Sequence, residues 1–170
     1  TLVELNRQLA ETTQKFSNNV LDDKQRYELL VDDVSRLTGM PESAIQAAAA
    51  GAKSKGVEGW RFTLDAPSYM PVMRYADDDA LRKELMDAMS AVGRSEKYNN
   101  LPIVKDILLL RKSKAALLGF EQFSDLVLNT RMAKTGESAL NFVEDLFAKT
   151  KPFFDQEVTE LEAYKAKITG

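Results

Sequence analysis

The sequence predicts a mainly α fold: an antiparallel helical bundle with one short irregular or extended segment near residues 56–70. Three observations carry this expectation. Apolar residues recur at intervals of three and four along most of the chain. Residues that start and stop helices punctuate it at the spacing of ordinary helices. Only the stretch "GVEGWRFTLDAPSYMP" breaks the pattern, collecting glycines and prolines around the alternating Trp60, Phe62 and Leu64.

The first helix is written in "TLVELNRQLAETTQKF", where Leu2, Leu5, Leu9 and Phe16 fall near one face and Thr1 with Glu4 forms a capping box. The next, "DDKQRYELLVDDVSRLTGM", spaces Tyr27, Leu30, Val34 and Leu37 helically and stops at Gly39. Pro41 opens "PESAIQAAAAGAKSK" at a first-turn position that proline tolerates, and its Ala47–Ala50 run lets a neighbouring helix approach closely. After the irregular segment, Asp77–Asp79 favour a helix start ahead of "ALRKELMDAMSAV". Asn100 caps "LPIVKDILLLRKSKAALL", with Pro102 in its first turn and Gly119 as its stop. "FEQFSDLVLNTRMA" follows at once, so Arg111 to Ala133 reads as two helices folded back on each other. The last helix keeps Leu140, Val143, Phe147, Phe154, Val158, Leu161 and Ile168 on one stripe, with Pro152 expected to kink or interrupt it. No repeat, linker or domain boundary stands out, so residues 1–170 read as a single helical region.

Composition narrows the function more by what is missing. At 44% hydrophobic and 29% charged residues the chain is globular rather than disordered. Twenty-three basic against 26 acidic residues leave a net charge of −3, which argues against a surface built to neutralise nucleic-acid phosphates. No apolar run reaches the length of a membrane span. There is no cysteine and no histidine. Disulfides, Ser-His-Asp or Cys-His hydrolysis and a His-Glu-x-x-His zinc site are therefore excluded within this chain. Any general acid or base here must be Asp, Glu, Lys or Tyr, which makes the chain alone a poor candidate for an enzyme.

The motifs that invite a chemical reading have plainer ones. "GAKSKGVE" lacks the lysine and hydroxyl of a phosphate-binding loop, with Val57 and Glu58 in their places. "ADDDA" lacks the turn glycine and closing glutamate of a calcium loop and fits a helix start. Glu144, Glu157, Glu160 and Glu162 read as solvated charges beside an apolar stripe rather than as paired acid and base. Arg111, Lys112 and Lys114 complement a helix C-terminus, with a phosphate or peptide-carboxylate contact as the sharper alternative. Trp60 and Tyr69 are expected in the core, or else lining a groove.

The wording of several stretches is more specific than their chemistry. "FSNNVLD", "LTGMPESAIQAAAAGAKSKGVEGW", "GWRFTLDAPSYMPVMRYADDDALRKEL" and "NNLPIVKDILLLRKSKAALLGFEQFSDLVLNTRMA" together resemble the thimet oligopeptidase/oligopeptidase A/peptidyl-dipeptidase family of zinc metallopeptidases, in one register through almost the whole chain. Asn99, where aspartate is common, and Asp79, where arginine is frequent, depart from that wording. The resemblance implies a cytoplasmic, zinc-dependent oligopeptidase acting on short peptides, with this chain as an interior fragment that helps wall the substrate channel. It places the zinc helix, His-Glu-x-x-His with a downstream glutamate, C-terminal to the matched region. Zinc is thus expected in the full-length parent and not in this chain, and no catalytic or metal-ligating residue carries over to any position. Residues that touch substrate stay unassigned. The partners implied are short peptides and the remaining catalytic region of the same polypeptide, without nucleic acid or membrane. The competing reading is a free-standing helical interaction module that binds a partner helix in a groove and catalyses nothing.

Overall fold

The computed structural model describes residues 1–169 and is mainly α, as the sequence predicts, with seven α-helices and a two-stranded sheet. Contacts divide the chain into two compact units, one taking Val3–Leu110 and the other beginning at Arg111. The boundary falls inside a helix, where no composition shift marks it.

The first unit opens with α1 (Leu2–Gln25), capped by Thr1, whose hydroxyl accepts the Glu4 N–H. The Glu4 carboxylate does not complete the expected box; it binds Arg7 and Gln8 instead. α1 ends nine residues later than its first apolar stripe suggests, so the second predicted helix does not form as written. Its sequence becomes β1 (Leu29–Val31), then a 3-10 turn at Val34–Leu37. The period of two explains the difference: Tyr27, Leu29 and Val31 lie on one face of an extended chain and pack on the core, while Leu30 and Val34 stay exposed. Asp33 caps the 3-10 turn by accepting the Ser35 N–H.

α2 (Glu42–Ser54) starts after Pro41, as its φ of −60° permits, and β2 (Trp60–Phe62) pairs antiparallel with β1 in the register Leu29↔Phe62, Leu30↔Arg61, Val31↔Trp60. The alanines of α2 serve a strand more than a helix. Ala48 and Ala52 are buried, and α2 lies chiefly along β2. Gly59 turns the chain into β2 with a φ of +100°, and a Cβ there would stand 2.5 Å from the Val31 carbonyl oxygen, so only glycine fits. α3 (Ala66–Tyr75) was hidden from sequence reading by its two prolines. Pro67 occupies the first turn; Pro71 lies inside and removes the donor that would reach back to the Pro67 carbonyl. α4 (Asp79–Ala91) is capped by Asp78, whose Oδ1 accepts the Ala80 and Leu81 N–H groups.

The core of this unit is Val31, Leu37, Met40, Ala48, Phe62, Leu64, Val72, Ala76, Leu81 and Leu85, with Trp60 and Tyr69 packed at its edge. Both aromatics therefore take their core reading. α5 (Leu101–Leu117) follows; the Asn100 carbonyl accepts the Val104 N–H at its start, and the Asn99 side chain accepts the Leu101 N–H.

In the second unit, α5 stops at Gly119, where the Phe120 N–H returns to the Ala115 carbonyl. The Arg111 guanidinium lies over the Phe123 ring, 5.2 Å from its centre. α6 (Phe123–Leu128) is short and packs on the start of α7 (Gly136–Thr169), where Asp125 accepts the Gly136 N–H at 2.7 Å. α7 continues through Pro152 as one helix, so of the kink or interruption expected there the interruption does not occur.

Candidate functional site

Two polar side chains are buried in the described residues, Asp23 and Asn100, each 5% exposed. Burial of polar groups demands partners, and both find them between α1 and the loop that joins α4 to α5. Asp23 sits in the last full turn of α1. Its Oδ1 accepts from Arg26 Nε at 2.6 Å and from Ser95 Oγ at 2.8 Å, and its Oδ2 accepts the Gly93 N–H at 2.8 Å. Burial pushes the Asp23 carboxyl upward, but the hydrogen bonds from Arg26, Ser95 and Gly93 outweigh it and hold the group below its ordinary value.

Asn100 closes the same seam one turn away. Its Nδ2 donates to the Phe16 carbonyl at 3.1 Å, its Oδ1 accepts from Asn19 Nδ2 at 2.9 Å, and its backbone N–H donates to the Gly93 carbonyl at 2.8 Å. Phe16 and Asn19 belong to "FSNNVLD", and Asn100 to "NNLPIVK", so two of the stretches that carried the resemblance meet in space. Arg26 also leans over the Tyr98 ring, 5.7 Å from its centre.

A cleft of about 410 Å³ lies beside this seam, lined by Arg26, Tyr27, Leu64, Val92 and Arg94 among others. What the arrangement can do chemically follows from its hydrogen bonds. A carboxylate that already accepts three donors, one of them a guanidinium, is a weak base held ionised; it is built to fasten, not to abstract protons. Tyr27 in the same wall is pushed up by burial and by the Glu84 charge, so its hydroxyl stays protonated at neutral pH.

Two further ion-pair groups join elements in the same way. Glu28 receives Arg61 at 2.6 Å and Lys55 at 3.4 Å, and the Arg61 hydrogen bond holds its carboxyl below the ordinary value. Arg36 binds Asp78 at 2.7 Å and Glu84 at 3.5 Å, tying the 3-10 turn to the start of α4; the Arg36 hydrogen bond is the main reason that the Asp78 carboxyl is lowered. Arg61 Nε is buried without a partner, beside a small cleft of about 170 Å³ floored by Ala47, Ala48 and Gly51.

The residues that the sequence singled out do not converge. Glu144, Glu157, Glu160 and Glu162 are exposed along α7, and Asp77–Asp79 lie at the start of α4. Arg111 is engaged with Phe123, while Lys112 and Lys114 occupy the same helix. "GAKSKGVE" forms the end of α2 and the turn after it. Among the described residues no three acidic side chains gather closely enough to hold a metal ion. With no histidine or cysteine in the chain, its residues do not fit a zinc site. No helix in the described residues is long and apolar enough to cross a membrane. The seam formed by Asp23 and Asn100 was missed by sequence reasoning, which took Asn100 only as a cap and gave Asp23 no role.

The comparisons with known proteins are consistent along the chain. The model of Peptidase family M3 matches residues 72–170, more than half of the sequence. Oligopeptidase A of Haemophilus influenzae is 40% identical over 98% of this chain and 25% of its own length. Oligopeptidase A of Escherichia coli is 40% identical over 95% of the chain and 24% of its own length. A dipeptidyl carboxypeptidase of Escherichia coli is 28% identical over 98% of the chain and 25% of its own length. The chain thus spans about a quarter of the length of the curated relatives it matches.

Proposed function

The chain belongs to peptidase family M3, and from that premise we propose that it is the helical, channel-walling region of a zinc-dependent oligopeptidase that cleaves short peptides. The observation that carries this is the extent of the match: 40% identity over 98% of the chain to a relative that bears the name oligopeptidase A. A match that covers helices, sheet and loops alike is inherited architecture rather than a shared motif.

In this reading the chain's own residues build and stiffen a wall. Asp23 and Asn100 pin α1 to the α4–α5 loop, and the Arg36–Asp78 pair fixes the start of α4. Rigidity has a functional use in an oligopeptidase, because a wall that does not yield admits extended peptides and turns away folded proteins. Zinc, and the groups that hold it, would come from parts of the polypeptide outside residues 1–170. Zinc supplies Lewis-acid activation in hydrolysis of this kind, and nothing in this chain is assigned to that step. A cytoplasmic location is part of the same proposal.

The test uses the full natural polypeptide. It should bind zinc stoichiometrically, hydrolyse quenched-fluorescence peptides of about ten residues, lose that activity to a chelator and leave a folded protein substrate intact. A natural product that ends near residue 170, binds no zinc and cleaves no peptide would replace this reading with the free-standing interaction module.

A further inference from the structure

Arg61 Nε is the one buried side-chain nitrogen or oxygen without a hydrogen-bond partner among the described residues. A donor left unpaired away from water is costly, so it calls for an acceptor. The same guanidinium donates from Nη2 to Glu28 at 2.6 Å, and Arg61 lines the cleft of about 170 Å³ enclosed by α2, β2 and the start of α3.

Two more side chains of the lining have protons to give. Ser68 Oγ accepts the Thr63 N–H at 2.9 Å, and Thr63 Oγ1 accepts the Asp65 N–H at 3.3 Å, so each hydroxyl keeps its own proton for another partner. Charge runs the same way. Glu28 is shared by Arg61 and Lys55, two cations on one carboxylate, which leaves the trio one positive charge in surplus. Gly51 keeps the floor open. It stands inside α2, where alanine would favour the helix more. A Cβ there would meet Arg61 O, Cβ and Nη1 at 3.8 to 3.9 Å, which is ordinary contact, so packing does not require glycine. A methyl group at 51 would instead take up space beside Nη1.

We propose that this cleft binds one carboxylate group, held by the Arg61 guanidinium with help from the Thr63 and Ser68 hydroxyls. Its two acceptor oxygens match a guanidinium flanked by hydroxyl donors, and its single charge matches the surplus beside Glu28. The carboxylate belongs to a small acid, to a peptide C-terminus or to an acidic peptide side chain. All the contributing residues lie in the first unit, so the site stands apart from the peptidase reading.

The test titrates the full natural polypeptide by ligand-observed NMR. Acetate represents a free acid, N-acetylalanine a chain terminus and N-acetylaspartate α-amide a side chain; acetamide is the neutral control. At least one carboxylate should bind saturably and acetamide should not, and the tightest of the three names the source. Arg61→Met should weaken that binding about tenfold or more. Gly51→Ala should weaken it about threefold or more while the melting temperature stays at or above the parent's, because the methyl fills the floor of a helix that gains from it. Should Arg61→Met fail to fold, Gly51→Ala alone decides. No saturable binding, equal binding of acetamide, or an affinity unchanged in either folded variant would each overturn the proposal. Carboxylates captured by a metal elsewhere in the polypeptide give that last result, since neither substitution touches such a site.

Discussion

Asn19 on α1 donates from Nδ2 to Oδ1 of Asn100, 2.9 Å away across 81 residues of sequence. The pair is two amides completing each other, since Asn100 Nδ2 is spent on the Phe16 carbonyl. Replacing Asn100 with leucine therefore removes both side-chain bonds and puts an apolar group against the Phe16 carbonyl and the Asn19 amide in a part-buried seam. The expected loss is about 2–3 kcal/mol, read as a lower urea midpoint with unchanged slope. An unchanged midpoint would mean that the seam contributes nothing.

Asp78→Asn separates charge from capping. Asparagine still accepts the Ala80 and Leu81 N–H groups but no longer pairs with Arg36 as an anion. Because the pair is partly solvated, the expected cost at pH 7 is only about 0.5–1.5 kcal/mol.

Acid should unfold the protein through these same carboxylates. Asp23 and Asp78 both sit below the ordinary value of 3.8 when folded. A carboxyl lowered by folding binds fewer protons in the native state, so its contribution is present above the unfolded value and lost as pH falls through the folded one. Stability should be flat from pH 7 to about pH 5 and fall below about pH 4, with a shallower fall in Asp78→Asn. Urea midpoints measured across that range check it; a fall centred near pH 6 would point to other groups.

Gly59→Ala and Gly56→Ala make a matched pair. Both glycines have positive φ, +100° and +72°, but a Cβ at Gly56 meets nothing within 4 Å whereas one at Gly59 meets the Val31 carbonyl at 2.5 Å. The first should cost clearly more than the roughly 1 kcal/mol of conformational strain expected for the second. Equal thermal shifts for the two variants would contradict the close approach of the strands.

Phe62→Ala should be the most damaging of these changes. Phe62 is 1% exposed at the centre of the core, so its removal should cost about 3–5 kcal/mol. Met132→Ala, at a site 97% exposed, should leave the unfolding midpoint where it was.

Most helices were legible because their caps are local. The caps at Thr1, Asp78 and Gly119 use bonds that span two to five positions, and sequence shows such neighbours directly. Tyr27 to Leu37 misled because Tyr27, Leu30, Val34 and Leu37 satisfy helical spacing while Tyr27, Leu29 and Val31 satisfy a strand's. Tertiary pairing with Trp60–Phe62 decided between them. Pro67 and Pro71 concealed α3, although the first-turn position of Pro67 is a helix signal in its own right. Pro152 does not interrupt α7, because helical sequence on either side carries the helix through it. The seam at Asp23 and Asn100 could not be read at all from spacing. Its members lie 70 to 84 residues apart, and an aspartate at a helix end looks the same whether it faces water or a buried backbone N–H.

The central claim of the proposed function is that this region positions and does no chemistry. Its most direct test is kcat for peptide hydrolysis by the full-length protein carrying Asp23→Asn, assayed well below its unfolding temperature. The account predicts a lower melting temperature with kcat within about threefold of the parent, because Asp23 serves α1 and the α4–α5 loop rather than substrate. A loss of a hundredfold or more in kcat with the melting temperature unchanged would contradict it and place Asp23 in the reaction.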